Sequence, residues 1–132
     1  IWGNLSCMML VHPQTQKDHS GLIEKAIADL RYGGIGVNCW AALIYGMCVT
    51  TWGAYPGNAL EDIRSGRGVV HNTYLFDHPQ KSVVRAPFII RPKPVWSAGH
   101  RNLSKLAQRL TEFEAKPSVV KLTKVIANAF QA

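Results

Sequence analysis

Leu5-Ser6-Cys7-Met8-Met9-Leu10-Val11, closed by His12-Pro13, is the stretch on which the fold turns. Its side chains are nearly all apolar, which predicts a strand buried on both faces rather than a half-exposed one. From Ser20 the apolar residues shift to helical spacing at Leu22, Ile23, Ala26, Ile27 and Leu30. Arg31 falls in the last turn, and Gly33-Gly34 is placed to end the helix in a left-handed conformation. Ile35 to Val37 reads as a second short strand. Strand, helix and strand in this order form the unit of a right-handed parallel crossover, so the expected fold class is α/β. The two strands should lie side by side and parallel, with the ring-rich turn around Trp52 across their far end.

Downstream, eight of the eleven glycines lie between Gly33 and Gly68, among Trp40, Tyr45, Trp52, Tyr55 and Pro56. Long loops that mix backbone freedom with large rings usually serve as binding surfaces or lids. Asn58 followed by Glu61 resembles a capping box, which predicts a short helix through Leu60 and Arg64 ending at Gly66. Gly68 to Phe76 and Lys81 to Arg91 carry β-branched and aromatic residues around Asp77-His78-Pro79 and predict extended segments, paired as a hairpin or left as an arm. Pro87, Pro92 and Pro94 push the second segment toward a sheet edge or an interface. Two helices should close the chain, one with the stripe Leu103, Leu106, Leu110 and Phe113, the other with Leu122, Val125, Ile126 and Ala129.

With 132 residues, 47% of them hydrophobic and 17% charged, the balance is globular rather than disordered. No apolar run reaches the roughly 18 residues of a membrane span, because Ile35 to Thr51 is interrupted at Asn38 and Gly46. No secretory signal is visible, and Cys7, Cys39 and Cys48 are sparse and odd in number, the pattern of reduced thiols. The expected compartment is the cytoplasm. The opening on Ile1, running straight into apolar sequence, reads as a cut start. Residues 81–132 carry ten Lys or Arg against Glu112 and Glu114, a net charge of +8, whereas residues 1–80 sum to −1.

Several chemistries can be weighed residue by residue. Gly33-Gly34-Ile35-Gly36 follows a helix and opens a strand, the reverse of a dinucleotide loop, so it reads as a helix stop with close packing. Cys7, His12, His19, Cys39 and Cys48 lack the spacing of a zinc site. Cys7 suits a buried strand, while Cys39 and Cys48, in the loop, are the more exposed thiols. His71, Asp77 and Ser82 have no nucleophile-elbow motif beside them. The basic tail lacks interleaved rings for base stacking, because Phe113 and Phe130 fall on or near the apolar stripes and read as core. Nucleic acid is therefore a disfavoured partner.

The order of parts resembles the late catalytic domain of the NAD(P)-dependent aldehyde dehydrogenases. In that family a Tyr-Gly-Leu segment enters a strand, a helix ends in leucine and glycine, and the next strand closes on Val-x-Val-Asn. Here Trp2-Gly3-Asn4-Leu5 departs by one residue, and Leu30-Arg31-Tyr32-Gly33 and Gly36-Val37-Asn38 follow in order. The family's Pro-Phe-Gly-Gly is met by Thr51-Trp52-Gly53-Ala54, and Lys81-Ser82-Val83-Val84 is similar to its oligomerisation strand, which reaches a neighbouring subunit. The resemblance covers residues 1–90; residues 91–132 look like a basic helical extension.

Family enzymes attack an aldehyde with a cysteine, pass hydride to NAD or NADP, and hydrolyse the resulting thioester with help from a glutamate. The resemblance places that nucleophile, that glutamate and the Glu-x-Phe-Gly-Pro cofactor segment outside this sequence. It thus implies a C-terminal fragment with no catalytic residue, no cofactor site and no metal site of its own. Trp52, at the family's tunnel phenylalanine, is the leading substrate-binding residue, with Tyr45, Ile44 and Trp40 in the nearby loop as weaker ones. Asn38 is expected to anchor a loop. The implied partners are the missing N-terminal part, a second copy of the chain and, in the complete protein, a small aldehyde. Two other readings stand beside it: a free-standing basic module for nucleic acid or an acidic protein, and an enzyme whose own Cys39 or Cys48 reacts.

Overall fold

The computed structural model describes residues 3–131; Trp2, part of the family-like opening, lies outside the described residues. The chain divides into two units, Ile1–Phe88 and Ile89–Ala132. The first contains β1 (Ser6–Met9), α1 (Pro13–Asp18), α2 (Ser20–Asp29), β2 (Gly34–Val37), α3 (Ala42–Gly46), β3 (Trp52–Gly53), β4 (Val69–Val70) and β5 (Ser82–Arg85). The second contains α4 (Leu103–Ala115) and α5 (Val119–Phe130). Among the described residues no helix is long and apolar enough to cross a membrane.

The fold is mixed α/β, built on a parallel three-stranded sheet in the order β1-β2-β5. Cys7 pairs with Ile35 and Ile35 with Val83; Met9 pairs with Val37 and Val37 with Arg85. Because side chains alternate along a strand, these residues share one face, and α2 lays Ile23 and Ile27 across it. Val11, Ile23, Ile27, Ile35 and Val37 form the buried cluster, with Cys7, Met9, Leu30, Tyr32 and Val83 packed at its margin.

The alternate positions of β2 are Gly34 and Gly36, and their missing side chains let the chain approach the opposite face. A Cβ on Gly34 would sit 3.0 Å from Cδ1 of Ile44 on α3, and one on Gly36 would sit 2.7 Å from the carbonyl oxygen of Cys39. The glycine cluster is therefore a packing device, as the sequence implied, but not a helix stop: neither Gly33 nor Gly34 is left-handed. α2 ends instead at an extended Leu30, and Lys81 donates from Nζ to the carbonyls of Ile27 (3.0 Å), Ala28 (2.7 Å) and Leu30 (2.7 Å).

The first strand is shorter than Leu5–Val11 and lies at a sheet edge, not buried on both faces; Met8 is 53% and Leu10 67% exposed. Polar α1 was not expected. Asn38, left-handed at φ 58°, accepts from Val11 N–H at 2.7 Å and donates back to the Val11 carbonyl at 3.0 Å, anchoring the chain just beyond β2. The helix expected after Asn58 does not form. Asn58 pairs reciprocally with the Asn4 amide (3.1 and 3.2 Å) and donates to the Gly66 carbonyl at 2.7 Å, which draws its side chain away from any capping role. Gly68–Phe76 and Lys81–Arg91 do not pair with each other. β4 is antiparallel to β3, and β5 completes its own chain's parallel sheet alongside β2 instead of extending as an arm.

In the second unit α4 and α5 are joined through Lys116-Pro117-Ser118. Ser118 caps α5 by accepting from Lys121 N–H, and Lys121 Nζ donates to the Glu112 and Lys116 carbonyls at 2.8 and 2.9 Å, closing the end of α4. Asn102 donates to the carbonyl and side-chain oxygens of Asn128 (3.1 and 3.0 Å) at the other end of the pair. Phe113 is half-buried as its stripe implied, whereas Phe130, expected in the core, is 65% exposed.

Candidate functional site

The segment Thr51–Tyr55 runs beside the starts of the strands rather than their far ends. Tyr55 N–H and Gly33 N–H both donate to the Asn4 carbonyl at 3.0 Å, and the Ser82 hydroxyl donates to the Thr51 carbonyl at 2.6 Å. Gly33 is indispensable to this approach, because a Cβ there would overlap the carbonyl of Gly53. Gly53 is equally constrained on its other side, against the Gly68 carbonyl and 2.8 Å from Cγ1 of Val69.

This packing fixes Trp52. Its ring meets that of Tyr45 edge-on, with centroids 5.1 Å apart and planes inclined by 70°. Such offset arrangements are favoured by the ring quadrupoles. Trp52 also lines a cavity of about 260 Å³ with Leu5, Arg67, Val69 and Val70. Of the four residues singled out in the sequence, Trp52 and Tyr45 are thus brought together. Ile44 is completely buried against the sheet, where it packs on Gly34 and reaches no open surface. Trp40 is largely exposed, and none of the cavity-lining residues beside Trp52 is Trp40.

One residue given no role in that pocket joins the rings. His71 lies against Tyr45 at 4.9 Å between centroids, and its Nε2 is 3.8 Å from Sγ of Cys48. Asn72 donates to the carbonyls of Cys48 (3.3 Å) and Val49 (2.8 Å), binding the two loops to each other. Cys48, His71 and Asn72 are all left-handed, at φ 56°, 63° and 47°. Non-glycine residues seldom adopt that region, and surrounding structure must hold them there.

The thiols are sorted by burial. Cys48 is exposed; Cys39 is buried and donates to the Val84 carbonyl at 3.6 Å, contrary to its expected exposure; Cys7 is half-buried. Burial pushes the Cys7 and Cys39 thiols above their ordinary value of 9.0, with Lys81 partly opposing the rise at Cys7. Among the described residues no group of three or more His, Cys, Asp or Glu is placed to hold a metal ion. A separate cavity of about 480 Å³ is lined by Tyr32, Tyr55, Arg31 and Arg64 among others and includes none of the four singled-out residues. No family model, curated protein or solved structure matches the chain.

Proposed function

We propose that this chain is the C-terminal part of an aldehyde dehydrogenase-like oxidoreductase, in which the complete protein converts an aldehyde to its acid with NAD or NADP. One observation carries the reading: Leu5 to Asn38 contains two in-register parallel strands joined through α2, and Met8 on the outer strand and Leu10 just after it are uncovered. Parallel sheets are ordinarily covered on both faces and continued by further strands, so an apolar parallel edge calls for more protein beside it. Trp52 supports the reading, with one ring edge on Tyr45 and a cavity of about 260 Å³ beside it, a space suited to a small aldehyde.

The described residues do not fit a nicotinamide dinucleotide. β1 is followed by α1 through Leu10-Val11-His12, without a glycine to admit a pyrophosphate, and the five-residue α3 offers no anion site. The cofactor and the catalytic cysteine belong, on this reading, to protein outside the resemblance, and the chain alone is inactive. Its uncovered edge also makes self-association the expected behaviour in isolation.

The test begins with the coding sequence before Ile1. Several hundred residues containing a cysteine nucleophile and a glutamate base are expected; a start codon immediately before Ile1 overturns the proposal. In the complete enzyme, Trp52→Ala should change KM among aldehydes of different size, and a uniform effect on all of them removes Trp52 from the tunnel. A second reading rests on the second unit, where eight Lys or Arg face two Glu and α5 has no acidic residue. Docking on an acidic protein or a nucleic acid would then weaken steeply between low and moderate salt.

A further inference from the structure

Cys48 lies just after α3 and His71 just after β4, and Asn72 clamps the two turns together through the Cys48 and Val49 carbonyls. His71 Nδ1 is buried with no hydrogen-bond partner. A proton there would be a stranded donor, so the neutral ring favours its proton on Nε2, the atom facing the sulfur at 3.8 Å. The S–H group has its own acceptor in the Tyr45 carbonyl at 3.5 Å, which leaves sulfur lone pairs toward the imidazole. The thiol gives its proton to the surrounding water, and the Nε2–H group faces the sulfur it leaves. The Tyr45 ring contacts both His71 and Trp52, so a row of aromatic rings runs on from the imidazole.

We infer that Cys48 and His71 form a thiol–imidazole site that captures soft carbon electrophiles of the α,β-unsaturated carbonyl class. The sulfur lone pair forms an S–C bond at the β-carbon while the C=C π pair shifts to give an enolate. The α-carbon then takes a proton from water, so the thiol hydrogen is balanced by the new C–H bond. No oxidant, leaving group or cofactor is required. The planar conjugated carbonyl lies against the rings of Tyr45 and Trp52, which favours this class over a saturated alkylating agent. Cys7 and Cys39 are poor competitors because burial disfavours their thiolates. The site needs no residue outside this chain, so it stands or falls separately from the aldehyde-oxidation proposal.

The experiment treats the whole chain with methyl vinyl ketone near neutral pH, in the same tube as glutathione, and follows each cysteine by peptide mass spectrometry. Cys48 should react at least about fivefold faster than glutathione, the gain expected of a thiolate held by a neighbouring imidazole. His71→Phe, with its fold checked by circular dichroism, should bring Cys48 down to the glutathione rate. Equal rates for Cys48 and glutathione in the wild-type chain, or an unchanged rate in folded His71→Phe, overturn the inference. If His71→Phe does not fold, the wild-type ratio decides alone.

Discussion

Replacing Lys81 by methionine keeps most of the side-chain stem and removes the ammonium that closes α2. Three carbonyls lose their donor, at 2.7–3.0 Å in the native chain, and α2 has no basic residue in its own last turn to substitute. These carbonyls are only partly buried, so after water competes for them each bond is worth about 1 kcal/mol. The positive charge at the helix carboxyl end adds about 1 kcal/mol. Immobilising a lysine costs about 2 kcal/mol, a cost methionine largely avoids through its freer position. The net loss is about 2 kcal/mol, or about 8–16 °C in the melting temperature of a unit of this size. The contact of Lys81 with the Tyr55 ring, 5.4 Å from Nζ to the centroid, adds to the loss rather than offsetting it. Because the chain has two units, the assay should be specific to the first: hydrogen exchange at the Gly34 and Ser82 amides, which report the β2 ladder. Lys81→Arg should lose less, since the charge stays while the planar fork cannot converge on three carbonyls. Exchange in Lys81→Met within about 0.5 kcal/mol of the native chain would refute the reasoning, because that is the size of an ordinary surface substitution.

Gly33→Ala should destabilise the first unit by about 3 kcal/mol or more, since its Cβ meets backbone atoms of Gly53 and Ala54 that have no rotamer to yield; a urea titration that matches the native chain would count against the close approach. His100 is buried in the second unit with neither ring nitrogen hydrogen-bonded, so His100→Leu should raise that unit's stability by about 1–2 kcal/mol, read as slower exchange in α4; a loss of stability means the ring has a polar role. Glu112 is held below its ordinary value of 4.5, first by the hydrogen bond from Arg109 and then by the charges of Arg109, Lys121 and Lys124. Its contribution is fully present above 4.5 and fades as pH falls through the lower folded value, so NMR titration should show the Glu112 midpoint rising in Arg109→Gln; an unmoved midpoint removes Arg109 as the cause.

The crossover was legible in the sequence because both of its signals are local. Ile23 and Ile27 repeat at helical spacing, and Ile35 and Val37 alternate with glycine along one strand. What escaped was decided by distant partners. Gly33 looked like a helix stop because its actual neighbour, Gly53, is remote in sequence. Asn58 looked like a helix cap until Asn4, 54 residues away, took its amide. α1 has no apolar residue to produce a stripe, although Pro13 in its first turn was a usable signal.

The candidate site was legible in halves. Trp52 and Tyr45 could be singled out as rings in a glycine-rich loop, but their contact depends on how the loop packs at the strand starts. Ile44 shared that loop and turned inward, because Gly34 leaves room for it. Cys48 and His71 are 23 residues apart and meet only through left-handed turns at residues that seldom adopt them, which no periodicity could announce.

The sheet order carries a consequence for the newborn chain. β2 takes its second neighbour from β5, and Lys81, just before β5, lies 51 residues beyond Leu30. At a synthesis speed of about 5–20 residues per second, the ribosome needs about 3–10 s to deliver it. For that interval α2 has already emerged with an open end, and the middle strand has backbone groups waiting on one side. A nascent polypeptide in that state is a natural client for holding chaperones, and its maturation is timed by elongation as much as by collapse.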